Sequence, residues 1–177
     1  RMVATHSAVK KVAFTGSTDV GRQIMEELAP REIPLTLELG GKSANIIFAD
    51  APIEQAIEGV VGGIWFNQGH VCCAGSRLLV EESILEPFVS GLRDRMAQLR
   101  VGDPLDKNTD VGAINSGEQL SRIQSLVRAG QEEGAILHEV QSAALPDKGF
   151  WFPPCFFTGV QPAHIVAREE IFGPVLA

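Results

Sequence analysis

The chain has 177 residues, enough to bury a hydrophobic core. Its 45% hydrophobic and 21% charged residues exclude disorder and collagen-like order. The net charge of −7, with no dense Lys/Arg run, argues against nucleic acid or an anionic membrane as main partner. No apolar run approaches the roughly 18–20 residues of a membrane span, and no signal-peptide pattern opens the chain.

Lys11-Val12-Ala13-Phe14 reads as a strand running into Thr15-Gly16-Ser17-Thr18-Asp19-Val20-Gly21. Thr18 is placed to cap a helix with Ile24, Met25 and Leu28 on one face, stopping at Pro30. Leu35–Leu39 alternates as a strand ended by Gly40-Gly41, and Asn45–Phe48 is a second apolar strand. After Asp50, apolar residues from Ile53 to Ile64 recur at helical spacing, and Arg77–Val80 is another strand. Ser83 with Glu86 has capping-box spacing, and Ile84, Phe88, Leu92, Met96 and Leu99 line the helix that follows. Ser116 with Gln119 repeats the box before a face of Leu120, Ile123, Leu126 and Val127. Ala135–Val140 reads as a strand, and residues 141–158, Pro-rich and aromatic, read as loop and edge structure. Strands alternating with helices predict an α/β fold on a largely parallel sheet.

Three segments carry candidate chemistry. Gly16 and Gly21 bound a strand–turn–helix whose backbone N–H groups suit a phosphate, although Thr18 stands where the dinucleotide fingerprint has its middle Gly. A plain structural turn fits these residues equally well. Gly40-Gly41-Lys42-Ser43 is not a P-loop, because Thr36 occupies the first Gly of that pattern. Glu38 lies between leucines, either as a buried carboxylate suited to general-base work or as a solvent-facing strand residue. Cys72 and Cys73 lie in a glycine-bounded loop beside His70, while Cys155 is distant in sequence. An odd cysteine count argues against a disulfide framework and for a reducing compartment. No second ligand pair has zinc spacing, so no metal is expected.

Taken together, these segments resemble the aldehyde dehydrogenase superfamily. Phe14-Thr15-Gly16-Ser17-Thr18 with Gly21 is similar to its cofactor turn, and Leu37-Glu38-Leu39-Gly40-Gly41-Lys42 to its glutamate motif. The run Phe66-Asn67-Gln68-Gly69-His70-Val71-Cys72-Cys73-Ala74-Gly75-Ser76-Arg77 resembles its cysteine motif, and Glu169–Val175 its nicotinamide-ribose motif. The resemblance implies an aldehyde-dehydrogenase-like α/β fold, with residues 1–40 the distal part of a Rossmann-type cofactor domain and 41–177 most of the catalytic domain. It implies oxidation of a small-molecule aldehyde to a carboxylic acid with NAD or NADP.

By position, Cys72 matches the nucleophile and Glu38 the base that activates the deacylating water. Coenzyme-A-acylating relatives typically lack that base, so Glu38 favours a free acid as product. Thr15, Gly16, Ser17, Gly21, Leu39, Gln119, Glu170 and Phe172 match cofactor-binding positions. Phe66, Val71 and Cys73 match the substrate tunnel. His70 departs from a family that often has Gln there. The family's second oxyanion donor, an Asn amide, and its adenosine-ribose Lys have no match here, and Asn67 does not take the Asn role. The resemblance therefore implies the centre of a longer, cytoplasmic, homo-oligomeric enzyme, with the isolated segment inactive. Two rival readings are an inactive scaffold with the same fold and a thiol redox or metal-binding module built on Cys72, Cys73 and His70.

Overall fold

The computed structural model describes residues 2–140 and 145–177. They form two compact units, Arg1–Gly41 and Lys42–Ala177.

In the first unit a short helix α1 (Met2–Thr5) precedes β1 (Val12–Thr15), α2 (Thr18–Leu28) and β2 (Leu35–Glu38). The two strands pair in parallel, from Val12 opposite Leu35 to Thr15 opposite Glu38. A parallel pair requires a crossover, and α2 supplies it. Alternation turns Val12, Phe14, Leu35 and Leu37 inward and leaves Ala13, Thr15, Thr36 and Glu38 exposed. Leu28 is buried, and Gly21 sits so close to Leu39 that a Cβ there would lie 2.5 Å from Leu39 Cδ2. The α2 cap is Ser17, not Thr18 as the sequence suggested. Ser17 keeps an extended backbone and its hydroxyl accepts from Val20 N at 3.4 Å, while Thr18 is already helical.

The second unit contains β3 (Ala44–Ile47), α3 (Ile53–Ile64), β4 (Arg77–Val80), α4 (Leu85–Met96), α5 (Gly117–Glu132), β5 (Ile136–Glu139), β6 (Cys155–Thr158), α6 (Ile165–Arg168) and β7 (Val175–Leu176). β3 pairs with β4 and β6 with β7 in parallel, while β5 is antiparallel to β6. Leu78 N donates to Ala177 O at 2.7 Å and Ala177 N to Ser76 O at 3.1 Å, which ties β4 to the end of β7. The strands thus follow one another as β3, β4, β7, β6, β5, parallel except for the last.

Side-chain alternation divides the core in two. Phe156 and Leu176 point to one side, where Val60, Ile64, Trp65, Phe88, Leu92 and Met96 of the α3–α4 layer cover them. Cys155, Phe157 and Val175 point to the other, against Ile123 and Val127 of α5 and Val166 of α6. The two faces explain why β6 is apolar at successive positions.

Two expectations fail here. Cys155–Thr158 is a central buried strand rather than edge structure, because β7 and β5 flank it on both sides; the part of that expectation at 141–144 falls outside the described residues. The Ser83 box also does not form. Ser83 Oγ donates to Glu81 Oε1 at 2.8 Å, and α4 begins after Ile84 with no side-chain cap. Among the described residues, no helix is long and apolar enough to cross a membrane.

Glycine positions separate filled from open helix surface. A Cβ at Gly130 of α5 would lie 2.6 Å from Val166 Cγ1, a short branched side chain that cannot swing away. Among the described residues, nothing outside the helix's own neighbouring backbone lies within 4 Å of a Cβ at Gly59 of α3. Gly59→Ala gains up to about 1 kcal/mol of helix propensity, whereas Gly130→Ala adds an overpacking cost of about 1–3 kcal/mol. Thermal unfolding of the 177-residue chain is expected to shift upward for the first and downward for the second, by about 2–4 °C per kcal/mol.

Candidate functional site

The cysteine loop begins where α3 ends. Trp65 is buried and its indole Nε1 donates to Pro174 O at 3.1 Å. The next turn is left-handed: Asn67 has φ 49°, Gln68 φ 46° and Gly69 φ 74°. Two successive non-glycine residues in this region are strained, and local bonds hold them. His70 N donates to Asn67 O at 2.9 Å, Asn67 Nδ2 to His70 O at 3.1 Å, and Gln68 Nε2 to Asn67 Oδ1 at 3.1 Å. The chain then makes a second turn, closed by Ala74 N donating to Val71 O at 3.1 Å. Cys72 and Cys73 occupy its two corners, both exposed.

A second segment, Glu169–Pro174, lies against this loop. A Cβ on Gly69 would fall 1.9 Å from Gly173 O, so only glycine at position 69 permits the approach. Phe172 has φ 54°, an outlier for a bulky residue. Gln119 Nε2 donates to both flanking carbonyls, Ile171 O at 2.9 Å and Phe172 O at 3.0 Å. Only half of the second capping box therefore forms. Ser116 Oγ accepts from Gln119 N at 3.1 Å, but the Gln119 side chain turns away to this segment. The His70 and Phe172 rings stack, with centroids 5.4 Å apart and planes 12° from parallel.

Charged groups surround the same segment. Lys42 Nζ donates to Ser76 O at 3.1 Å. Burial, and then Arg77, lower its pKa to about 8, while Glu170 opposes the shift. Arg122 Nη2 donates to Glu170 O at 3.2 Å and faces Glu169 Oε2 at 4.0 Å. Neither Lys42 nor Arg122 was singled out as a site residue from sequence. The available signals were a Lys directly after Gly40-Gly41 and an Arg three residues, about one helical turn, beyond Gln119.

The sequence-derived candidates therefore fall into two groups. In Arg1–Gly41, Thr15 is opposite Glu38, Gly16 N donates to Glu38 O at 3.0 Å, Ser17 caps α2, and Gly21 abuts Leu39. Glu38 is exposed: strand alternation turns Leu37 inward and Glu38 out, so the leucines on either side do not bury it. In Lys42–Ala177, Val71, Cys72 and Cys73 share one turn, and Gln119 and Phe172 meet directly. Phe66 is exposed and Glu170 half-buried. Cys155 stands apart in the core, where burial, and then Glu139, push its thiol pKa up. Among the described residues, no group of three or more His, Cys, Asp and Glu is gathered as for a metal.

Comparison with known proteins identifies the family and the fold. The profile of the aldehyde dehydrogenase family matches residues 1–177. An NAD-dependent aldehyde dehydrogenase from Sinorhizobium meliloti superposes with a TM-score of 0.93 at 40% identity, covering 98% of this chain and 35% of that one. The aldehyde dehydrogenase KauB from Pseudomonas aeruginosa gives 0.93 at 43% identity, with 98% and 36% covered. The P. syringae indole-3-acetaldehyde dehydrogenase AldA, solved with NAD+, gives 0.93 at 41% identity, with 98% and 36% covered. The chain belongs to the aldehyde dehydrogenase family and has its α/β fold. It spans about a third of the length of these relatives.

Two histidines make stability sensitive to acid. Burial lowers the His70 pKa from 6.5, and burial, and then Arg93, lower that of His138. His138 stacks on Phe156, and its Nδ1 lies 3.3 Å from Arg93 Nη2, a donor that needs a neutral ring as acceptor. Each histidine takes a proton more readily unfolded than folded. Stability is therefore full above about pH 6.5 and falls as pH drops below it. The urea midpoint of the chain is expected to decrease between about pH 7 and pH 5.5, and His138→Gln is expected to remove part of that decrease.

Proposed function

We propose that the chain is the catalytic segment of an NAD-dependent aldehyde dehydrogenase that releases a free carboxylic acid. The observation that carries this reading is Cys72, an exposed thiol at the corner of a turn held by a strained left-handed segment. A nucleophile needs that combination of access and fixed position. Family membership over the whole chain supplies the reaction class. The relatives' own names mention NAD, and the reading takes NAD from them.

The residues present suit the cofactor. Gly16, where a Cβ would lie 2.5 Å from the Phe14 ring, lets the chain turn from β1 into α2, whose Ser17-capped start would offer backbone N–H groups to a phosphate. Glu170 would hold a ribose, Thr15 and Leu39 would contribute further contacts, and Phe172 would pack on the nicotinamide. When bound, NAD accepts the hydride that leaves the substrate carbon.

The protein's own groups do the rest. The Cys72 sulfur adds to the aldehyde carbon, and the Cys72 backbone N–H donates to the oxygen that becomes negative. Loss of hydride from this thiohemiacetal leaves a thioester on Cys72. Glu38 then takes a proton from water, which attacks the thioester carbon and expels the sulfur. Solvent access to Glu38 serves such a step, and its presence favours water over a thiol such as coenzyme A as acceptor. Phe66, Val71 and Cys73 would border the aldehyde. The enzyme would act on small-molecule aldehydes in the cytoplasm as a homo-oligomer.

These roles are tested in a protein that surrounds the 177 residues with the remainder of the aldehyde dehydrogenase fold. With a panel of aldehydes, Cys72→Ala is expected to abolish NAD reduction, and undiminished activity would refute the nucleophile. Glu38→Gln is expected to slow deacylation by about 10²–10⁴-fold and leave an acyl-enzyme visible by intact mass; unchanged turnover with no added mass would remove the base role. The isolated chain is expected to bind NAD weakly or not at all, because the segment that matches the adenosine-ribose Lys is missing from it. Calorimetry showing micromolar binding would contradict this.

A further inference from the structure

His70 stands in the cysteine motif where the family often has Gln, and the proposed reaction gives it no task. Its surroundings define one.

The backbone beneath Phe172 is over-determined. Gln119 Nε2 bonds the carbonyls of both Ile171 and Phe172. Gly173 is pressed against Ile123, whose Cδ1 would lie 2.6 Å from a Cβ there, and Gly69 is pressed against Gly173 O. These contacts hold a bulky residue at φ 54°, a conformation that persists only when its neighbours enforce it. None of them orients the Phe172 ring. The ring contact that does is His70, nearly parallel at 12° and 5.4 Å between centroids. Phe172 nevertheless remains 36% exposed, so the stack does not close the residue off from its surroundings.

His70 is itself fixed. It follows the left-handed turn at Asn67–Gly69, and its Nδ1 lies 3.4 Å from Gln68 Nε2. An amide N–H can only donate, so Nδ1 accepts and the neutral ring carries its proton on Nε2. That Nε2 is buried and has no hydrogen-bond partner among the described residues. The far end of the side chain therefore makes no polar contact, and what it contributes against Phe172 is an aromatic surface. A glutamine at this position could form the polar contact but could not back a ring.

We propose that His70 is a positioning residue: its imidazole backs the Phe172 ring, so that Phe172 is set in advance for the nicotinamide of NAD. Holding the ring in place before binding removes an ordering cost that the cofactor would otherwise bear. His70 acts through Phe172 and touches no reacting atom. This rests on the catalytic reading above.

The test uses the protein described there, with NAD binding measured by calorimetry and kinetics at saturating aldehyde. His70→Ala and His70→Gln are expected to raise the Kd and KM for NAD about three- to tenfold, the worth of one aromatic pair. They should leave kcat within about twofold, as for loss of uniform binding, and should not change the aldehyde KM. His70→Phe, which keeps a ring and loses both nitrogens, is expected to recover most of the NAD affinity. A Phe variant as impaired as the Gln variant, an unchanged Kd in the Gln variant, or an effect confined to the aldehyde KM would each overturn the proposal. Should the Ala variant fail to fold, the comparison of Gln with Phe decides alone. Native protein that neither binds NAD nor oxidises any aldehyde overturns the catalytic reading and this inference together. Native activity with an undisturbed Kd in His70→Gln overturns the inference alone.

Discussion

The close approach of Gly69 to the carbonyl of Gly173 is the constraint on which the candidate site depends. No other residue fits, since even one added carbon would overlap the carbonyl oxygen. The contact draws the end of the cysteine loop onto the Glu169–Pro174 segment. Trp65 then reaches Pro174 O, and the ring of His70 reaches Phe172. Gln119 closes the arrangement from the start of α5 by holding the carbonyls on either side of the Phe172 Cα. Two segments about a hundred residues apart in sequence become one surface.

The strain in that surface is supported from behind. Asn67, Gln68 and Phe172 occupy left-handed backbone that side chains disfavour. Behind the loop, Ile64 and Trp65 belong to the core shared with α4, and Ile171 belongs to the core under α5 and α6. The sheet separates those two cores. The site segments thus lead directly from both, so a change in either layer reaches the turn that carries Cys72. The thiol itself remains open, in contrast to Cys155, which burial has made an inert part of β6.

Much of the fold was legible because periodicity reflects burial. The runs Ile53–Ile64 and Arg77–Val80 lie where their apolar spacing placed them. The failures have physical causes. Capping boxes are recognised from spacing, but a hydroxyl or amide takes the partner that geometry offers. Ser83 found Glu81, and the Gln119 side chain found two carbonyls far along the chain. The segment around Cys155–Thr158 followed prolines and a polar stretch and resembled an edge, yet it lies between two strands that the sequence does not mark as its neighbours. Glu38 is not among these failures: despite its flanking leucines it reads from one strand alone as solvent-facing, and strand alternation does turn it outward.

For the site, the sequence by itself determined residue types and order: a cysteine in a glycine-bounded loop, a glutamate before two glycines, a glycine turn after a strand, and a glutamate–phenylalanine motif near the end. These suffice to identify the family, because each constrains chemistry or backbone locally. Only the tertiary structure decided that Gln119 supports a loop, that Lys42 and Arg122 border Glu170, and that His70 meets Phe172 ring to ring. Such pairings join residues distant in sequence, and no local spacing encodes them. They exist because packing on the two faces of the sheet brings the ends of α3, α5 and the β7 approach to one place.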